Sequence, residues 1–340
     1  MNRRISTLLV ALAPIVAFGV LLAAVTVPYV SLGPGPTFDT LGEIEGKEVV
    51  DIKGTDVHKT NGHLNMTTVS QRDNLTLGQA LTLWMSGREQ LIPRDLVYPP
   101  DKSKDEIDEG NAQEFKRSED SAEYAALGYL KYAPAVTVET VSKDGASAGK
   151  LKEGDAIDAV NGTPVGNLEQ FQKLMEQTKP GDEVILDFRR KNAPPGVTTV
   201  KLGSAPEKKQ GVLGIGVIEA PWAPFTIDFN LANIGGPSAG LVFSLAVIDK
   251  LTTGDLSGDK FVAGTGTIDA DGKVGSIGGI THKILAAHDA GATVFLVPAE
   301  NCDEAKSAHE DGMDLVKVEN LGGAVDALKA LSAGGEAPHC

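Results

Sequence analysis

A serine and a lysine are the two side chains of this sequence whose types and surroundings could support chemistry. Ser238 lies in the stretch GGPSAG, directly before GLVFSLAVI, which predicts a buried helix because it is apolar on nearly every face. Lys283 lies in a second predicted helix, ITHKILAAHDAG, where steps of about 100° per residue place it among the apolar positions. A lysine there either extends its amine into solvent or keeps it buried with a lowered pKa. In the second case the neutral amine could accept the proton of a serine hydroxyl.

Ser238 itself has three interpretations at this point. Gly, Pro and Ser are common at helix starts, so Ser238 could simply cap the helix. The pattern G-x-S-x-G is also that of the nucleophile elbow of α/β-hydrolases, which would need a later acid and a histidine such as His288 as base. The weak strand TIDFNLANIGG and the adjacent Pro237 disfavour that elbow. As a nucleophile, Ser238 would lie beside the free amides of a helix start, which predicts an oxyanion or substrate-backbone site at Gly236, Pro237 and Ala239.

The order of three glycine-containing motifs extends this pattern. The motifs are Gly236-Pro237-Ser238-Ala239-Gly240, then Thr265-Gly266-Thr267-Ile268, then Ile277-Gly278-Gly279 shortly before Lys283. Over about residues 211–331, this order resembles the proteolytic domain of Lon proteases. The resemblance implies that Ser238 is the nucleophile, Lys283 the general base and Thr265 a hydroxyl that helps to orient the lysine. The alternative for Thr265 is a strand threonine with only local hydrogen bonds. The Lon pattern commonly has an acidic residue where this chain has Gly235, which leaves the substrate contacts near the nucleophile open.

A second module is predicted between residues 133 and 203. The string G-x-L-x-x-G-D-x-I-x-x-V-N-G, from Gly149 to Gly162, resembles a PDZ domain of the type found in bacterial envelope proteases. The resemblance implies a small β-barrel capped by a helix, at whose open sheet edge a peptide end adds as a strand while backbone amides hold its carboxylate. The carboxylate-binding loop is expected near LKYAPAV, residues 130–136. A barrel whose groove is closed is the alternative.

The N-terminal segment is long and apolar. Residues 8–30 are uncharged and, as one helix, would span roughly 34 Å, enough for the hydrocarbon core of a bilayer. We therefore expect a transmembrane anchor, with a cleaved secretory signal or a buried helix as alternatives. Arg3 and Arg4 predict a cytoplasmic N-terminus, so the bulk of the chain would be extracytoplasmic at the cell membrane. With the two modules, this organisation is similar to that of the membrane-anchored, PDZ-containing Lon-like proteases of Gram-positive bacteria.

These elements predict an α/β (α+β) chain with an N-terminal transmembrane helix, a PDZ-type β-barrel module and a Lon-type proteolytic domain. The expected divisions are an anchor (1–30), a strand-helix segment packing with the protease domain (31–130), a PDZ domain (131–205), a Lon-like proteolytic domain (206–335) and a tail (336–340). The resemblance places GHLNMTTVS and SEDSAEYAALGYL in the protease fold, so that the PDZ module would be inserted into it.

Two further features of the chain need structural information. The charged run at 99–121 predicts a solvated loop. Cys302 and Cys340 could pair in an exported domain or stay unpaired, because sequence does not give the separation of their Cα atoms.

Composition and motifs disfavour several classes of function. A net charge of −15 disfavours general nucleic-acid binding. No Cys/His cluster has metal-ligand spacing, and no Gly-Lys pair is followed by Ser or Thr, so we expect neither a metal nor a nucleotide cofactor. The leading hypothesis is an ATP-independent serine endopeptidase that uses a Ser238–Lys283 dyad on unfolded or flexible proteins, with the PDZ module recruiting or gating substrates. Assembly as a homo-oligomer is expected by resemblance, and the competing hypothesis is a catalytically inactive envelope scaffold that binds peptide termini.

Overall fold

The computed structural model describes residues 3–206, 208–232, 234–308 and 310–340, with only the backbone described for residues 3–9. Its helices are α1 (Arg3–Ala24), α2 (Leu77–Ser86), α3 (Lys104–Tyr129), α4 (Leu168–Glu176), α5 (Gly240–Leu251), α6 (Ile280–Asp289), α7 (Cys302–Lys306) and α8 (Leu321–Ser332). Its strands are β1 (Tyr29–Asp39), β2 (Glu43–Ile44), β3 (Lys47–Glu48), β4 (Val50–Lys53), β5 (His63–Arg72), β6 (Gln90–Pro93), β7 (Pro134–Val141), β8 (Ala156–Val160), β9 (Thr163–Pro164), β10 (Glu183–Arg189), β11 (Gly196–Lys201), β12 (Gly203–Ala205), β13 (Lys208–Val212), β14 (Ile215–Pro221), β15 (Thr226–Phe229), β16 (Phe261–Gly264), β17 (Thr267–Ile268), β18 (Val274–Gly275), β19 (Val294–Pro298) and β20 (Asp314–Val318).

A six-stranded mixed sheet in the order β20-β19-β16-β5-β1-β6 forms the larger body of the molecule. β16 runs parallel to both β19 and β5, whereas β1 runs antiparallel to β5 and β6. Successive strand residues point to opposite faces. In β19, Val294 and Leu296 pack with α3, α5 and α8, whereas Phe295 and Val297 pack with α6 and α7. The sheet therefore joins N-terminal strands to C-terminal ones and separates α5 from α6.

A second, antiparallel sheet in the order β11-β10-β8-β7-β14 forms a smaller body, here called the barrel module (residues 134–221). Val138, Ile157 and Leu186 of its strands pack against Phe171 and Met175 of α4. The chain enters this module from α3 and leaves it towards β15, which pairs with β4. The sheet extends past residue 205, because β14 pairs with β7 along its whole length.

The charged run predicted as a loop is mostly helical, since α3 begins at Lys104 and continues to Tyr129. Ser103 and Glu106 form a capping box that satisfies the first amides of α3. Further along, Phe115, Ser118 and Ala122 are buried on the face of α3 that packs against α5. The loop prediction was wrong because α3 buries one face and leaves its many charged residues on the other.

The predicted N-terminal transmembrane helix is contradicted. Among the described residues, no helix combines the length and the apolar composition needed to cross a bilayer. The apolar run of residues 8–30 is not one helix, because α1 ends at Ala24 and the chain becomes extended, with a bridge from Thr26 to Thr76 and then β1. This finding corrects three expectations. They are the transmembrane part of the predicted fold class, the membrane contact through residues 8–30, and the single-pass, extracytoplasmic localisation. The side chains of Arg3 and Arg4, on which the predicted orientation depended, lie outside the described residues.

The two cysteines, whose pairing the sequence left open, are joined in a disulfide between Cys302 and Cys340, 38 residues apart. The tail before Cys340 lies along the outer edge of β20. There the amide of Lys317 donates to the carbonyl of Pro338, and the amide of Cys340 donates to that of Leu315. The C-terminus is therefore held to the sheet by both backbone hydrogen bonds and a covalent link.

Candidate active site

Ser238 lies at the end of a loop that leads into α5. From Gly240 to Lys250, α5 is buried, as its apolar composition predicts. The helix-capping position is Ala239, and no side chain caps the first amides of the helix. Ser238 therefore does not act as the helix cap, which removes the simplest structural explanation for this serine.

The three predicted catalytic side chains meet at one point. The Nζ of Lys283 lies 2.7 Å from Ser238 Oγ and 2.9 Å from Thr265 Oγ1. Thr265, directly after β16, also donates from its hydroxyl to the carbonyl oxygen of Ser238 over 3.1 Å. Lys283 is on α6, so the contact is made across the sheet edge where β16 ends. The three residue types thus come from a loop, a strand end and a helix that are far apart in sequence.

Burial sets the charge state of the lysine. Lys283 is 3% exposed and Thr265 is fully buried. Burial lowers the pKa of Lys283 to about 8, because a charged amine loses its hydration there. Neither of its two hydrogen-bond partners among the described residues carries a charge that would favour the ammonium form. A substantial neutral fraction therefore exists at mildly alkaline pH, with the amine already in contact with a hydroxyl.

The predicted oxyanion residues do not all have a free donor. The amide of Gly236 donates to the carbonyl of Asn111 over 3.0 Å, and Pro237 has no N–H. Among the described residues, the amides of Ser238 and Ala239 have no hydrogen-bond partner. Ser238 therefore contributes a candidate oxyanion amide that the sequence interpretation missed, although its place before a helix start could have indicated it.

A cavity of about 720 Å³ opens beside Ser238 and Lys283. Its polar end holds these two side chains, and its walls include the apolar side chains of Phe38, Met66, Phe115 and Ile234. The cavity can hold several side chains of an extended peptide.

Neither histidine of α6 forms a hydrogen bond with the nucleophile. His288 is exposed at the end of α6, and the hydrogen-bond partner of Ser238 Oγ is Lys283. His282 precedes Lys283 and is buried, which lowers its pKa and favours the neutral ring. The described part of the chain therefore gives no geometric support to the α/β-hydrolase alternative. The described residues contain no group of three or more His, Cys, Asp or Glu side chains that could hold a metal ion.

The barrel module has its own groove, between α4 and the start of β14. A cavity of about 550 Å³ there is lined by Phe171 and Met175 of α4 and by residues 213–217, with the sequence LGIGV. β14 is an edge strand, since β7 is its one pairing partner among the residues that the structure describes. Residues 130–136, where the carboxylate-binding loop was expected, do not line this cavity, and Ala135 and Val136 pair with β14 as part of β7. The sequence interpretation did not assign β14 to the barrel module.

Comparisons with known proteins agree with these two bodies. Residues 233–330 match the family model of the Lon protease C-terminal proteolytic domain, and residues 110–200 match that of the PDZ domain. The chain is 42% identical over 89 residues to a Lon protease of Clostridioides difficile and 40% identical over 89 residues to one of Roseiflexus castenholzii. Each match covers 25% of this chain but only 11% of the relative's length.

Solved structures similar to this chain include PDZ domains of SdrC-like proteins. The one from Listeria monocytogenes is 24% identical, with a TM-score of 0.24, over 25% of this chain and 87% of that one. The one from Listeria innocua is 26% identical, with a TM-score of 0.23, over 25% of this chain and 92% of that one. The matches to the two family models, rather than these scores, show that the chain contains a Lon-type proteolytic domain and a PDZ domain.

Proposed function

We propose that this chain is a serine endopeptidase in which Ser238 is the nucleophile and Lys283 the general base. The neutral amine of Lys283 accepts the proton of Ser238 Oγ as that oxygen bonds to a peptide carbonyl carbon. The carbonyl oxygen then carries negative charge, which the amides of Ser238 and Ala239 stabilise. The ammonium of Lys283 returns its proton to the departing amine, leaving an acyl group on Ser238. Water attacks that ester while Lys283 accepts one of its protons. Lys283 then returns this proton to Ser238 Oγ as the bond between Oγ and the acyl carbon breaks, and the carboxylic acid product leaves.

The observation that carries this proposal is the 2.7 Å separation of Lys283 Nζ and Ser238 Oγ at a buried site. A serine hydroxyl is a weak nucleophile without an adjacent base, and a buried amine with a lowered pKa supplies one. Thr265 orients that amine in the proposal, because its hydroxyl contacts both Lys283 Nζ and the Ser238 carbonyl.

The substrates in this proposal are unfolded or flexible protein segments, cleaved without ATP. A peptide must be extended to place its carbonyl at Ser238 in the cavity beside it. The 340 residues contain no Gly-Lys-Ser or Gly-Lys-Thr sequence to bind nucleotide phosphates, so unfolding of a substrate would not be driven by this chain. Assembly into a homo-oligomer belongs to the same proposal by resemblance, and light scattering during size-exclusion chromatography tests it.

The barrel module recruits substrate in this proposal. A peptide end would add as a strand to the free edge of β14 and place side chains against Phe171 and Met175. Fluorescence polarisation with peptides that carry a free or an amidated C-terminus tests this step. A preference for the free carboxylate supports it, whereas equal or absent binding of both forms contradicts it.

The proteolytic activity is tested with a chemically unfolded protein as substrate. We expect cleavage by the wild-type chain and by Ser307→Ala, a matched change at an exposed serine after α7, but none by Ser238→Ala. Mass spectrometry of the products would give the cleaved bonds. Equal cleavage by wild type and Ser238→Ala would contradict the proposal and favour an inactive peptide-binding scaffold.

A further inference from the structure

Helix α3, which precedes the barrel module, contacts the loop that carries the nucleophile. The backbone carbonyl of Asn111 accepts a hydrogen bond of 3.0 Å from the amide of Gly236. About two turns further along α3, the hydroxyl of Ser118 donates to the carbonyl of Pro237 over 2.9 Å. These are the two residues directly before Ser238, so α3 fixes the chain on the N-terminal side of the nucleophile.

The close approach depends on Gly235. A side-chain carbon added at Gly235 would lie 2.8 Å from the Cβ of Asn111, closer than two such atoms approach in proteins. The Lon pattern commonly has an acidic residue at this position, and such a side chain would displace α3 or the loop. Gly235 and Asn111 are therefore matched to each other in this chain.

Ser118 occupies an equally restricted position. It is 4% exposed, and its Oγ would lie 3.1 Å from a side-chain carbon at Gly240. One turn further along α3, the carbonyl of Ala122 accepts a hydrogen bond of 3.2 Å from the hydroxyl of Ser244 on α5. Helices α3 and α5 thus hold the nucleophile loop between them.

The carbonyl of Ser238 is held separately, by the amide of Gly266 over 2.9 Å and by the hydroxyl of Thr265. With both sides of Ser238 fixed, the directions of the Ser238 and Ala239 amides are fixed as well. A donor aimed in advance at the developing oxyanion needs no rearrangement during the reaction.

We propose that Asn111 and Ser118 are positioning residues for the nucleophile loop, Asn111 through its backbone and its fit to Gly235, and Ser118 through its hydroxyl. They set the direction of the amides at Ser238 and Ala239 and make no contact with the substrate. This inference rests on the proposed serine endopeptidase function.

The first test compares Ser118→Ala with Ser121→Ala, a matched change on α3 at a half-buried serine that has no hydrogen bond to the nucleophile loop. One neutral hydrogen bond contributes about 0.5–1.5 kcal/mol, so kcat of Ser118→Ala should fall about 3- to 10-fold. KM and the midpoint of the pH–rate profile should stay unchanged, because the cavity and Lys283 are unaltered. Equal kcat values for the two variants would overturn the role of Ser118.

The second test is a double-mutant cycle that does not depend on Ser118. Gly235→Ala should lower kcat about 10-fold or more, because its new Cβ pushes against Asn111. Asn111→Gly removes that obstacle and keeps the carbonyl that accepts from Gly236, so the loss caused by Gly235→Ala should shrink in this background. If the fold losses in kcat of Gly235→Ala and Asn111→Gly simply multiply in the double variant, the inference is overturned.

The controls separate the two proposals. Circular dichroism and the melting temperature show that each variant is folded before its kcat is compared. A wild-type rate that survives Ser238→Ala would overturn the proposed function and this inference together. A Ser238-dependent rate that neither Ser118→Ala nor the Gly235 cycle changes would overturn only the inference.

Discussion

The proposed chemistry depends on a lysine that must lose its proton before it can accept one from Ser238. Since burial lowers the pKa of Lys283 to about 8, we expect kcat/KM to rise tenfold per pH unit below that value and to level off above it. The free enzyme would be active where the amine is neutral. Initial rates of peptide cleavage between pH 6 and 10 test this prediction. A rate that is already maximal at pH 6 would show that the general base has a pKa well below 8 and is not Lys283.

The same burial of Lys283 should lower the free energy of unfolding of the chain. Its pKa in the folded chain is about 8, below the ordinary lysine value of 10.5, so the folded state binds protons less well than the unfolded state. The penalty is fully present below pH 8 and is lost as pH rises towards 10.5. Lys283→Met should therefore raise the free energy of unfolding at pH 7 by up to about 3 kcal/mol and abolish cleavage.

Urea unfolding of Lys283→Met at pH 7 and pH 10 measures that effect. Lys306→Met, a change at an exposed lysine of α7, is the matched control and should leave stability nearly unchanged. A gain for Lys283→Met that is as large at pH 10 as at pH 7 would argue against the buried ammonium as its cause.

Thr265 allows a separate test of how the amine is oriented. Thr265→Val keeps the shape but removes the hydroxyl that contacts Lys283 Nζ, so kcat should fall about 10-fold. The hydroxyl also accepts a hydrogen bond from the charged amine, so its loss should move the midpoint of the pH–rate profile to lower pH. Thr265→Ser should retain most of the activity. If Val and Ser variants behave alike, the hydroxyl has no orienting role.

Some residues of the site could be predicted and others could not. The helical spacing alone placed Lys283 among buried positions, because the apolar arc of α6 faces the sheet. The burial of His282 beside it could not be predicted in this way, because His282 lies near Glu89, which comes from the distant connection between α2 and β6. The hydrogen bond from Gly236 to Asn111 could not be predicted either, because it joins parts of the chain that are 125 residues apart in the sequence.

At the scale of elements, α3 shows where composition misleads. The run at 99–121 is so polar that it predicts a solvated loop, although Ser103 and Glu106 have the spacing of a capping box. Pairs such as Lys116 with Asp120 support the exposed face, and the buried face becomes visible only against α5. By contrast, α5 was predictable because GLVFSLAVI, residues 240–248, is apolar on nearly every face and is buried.

The C-terminal tail is an element whose stability can be measured directly. A disulfide that closes a loop of 38 residues contributes about 2–4 kcal/mol, chiefly by restricting the unfolded chain. Cys340→Ser should lower the free energy of unfolding by that amount and free the edge of β20. Wild-type chain in excess reductant should unfold like Cys340→Ser in the same buffer. No difference between oxidised and reduced wild type would show that the disulfide adds nothing to stability.

At the scale of the whole molecule, the barrel module contacts the larger body through several polar and aromatic groups. Lys191 forms an ion pair with Glu123 of α3, and both side chains are mostly buried. The guanidinium of Arg189 lies 4.4 Å from the ring centroid of Trp222, whose indole N–H donates to the carbonyl of Gly154. The two family models match separate ranges of the sequence. In the structure, the two units share helix α3 and an interface.

This arrangement predicts that residues 206–340 cannot act as an independent protease. In that fragment β16 would lose its parallel neighbour β5, with which Val262 and Gly264 are in register with Leu64 and Met66. The fragment would also lack α3, and with it the edge-on contact of Phe115 with Phe243, whose ring centroids lie 5.8 Å apart.

Limited proteolysis of the whole chain tests the prediction. A chain cut near residue 206 should remain associated and active under native conditions, because the two pieces share the six-stranded sheet. Residues 206–340 expressed alone should lack both a cooperative melting transition and peptide cleavage, and adding residues 1–205 should restore them. A stable, active 206–340 fragment would show that the strands and the helix from the N-terminal part only cover a protease fold that is complete without them.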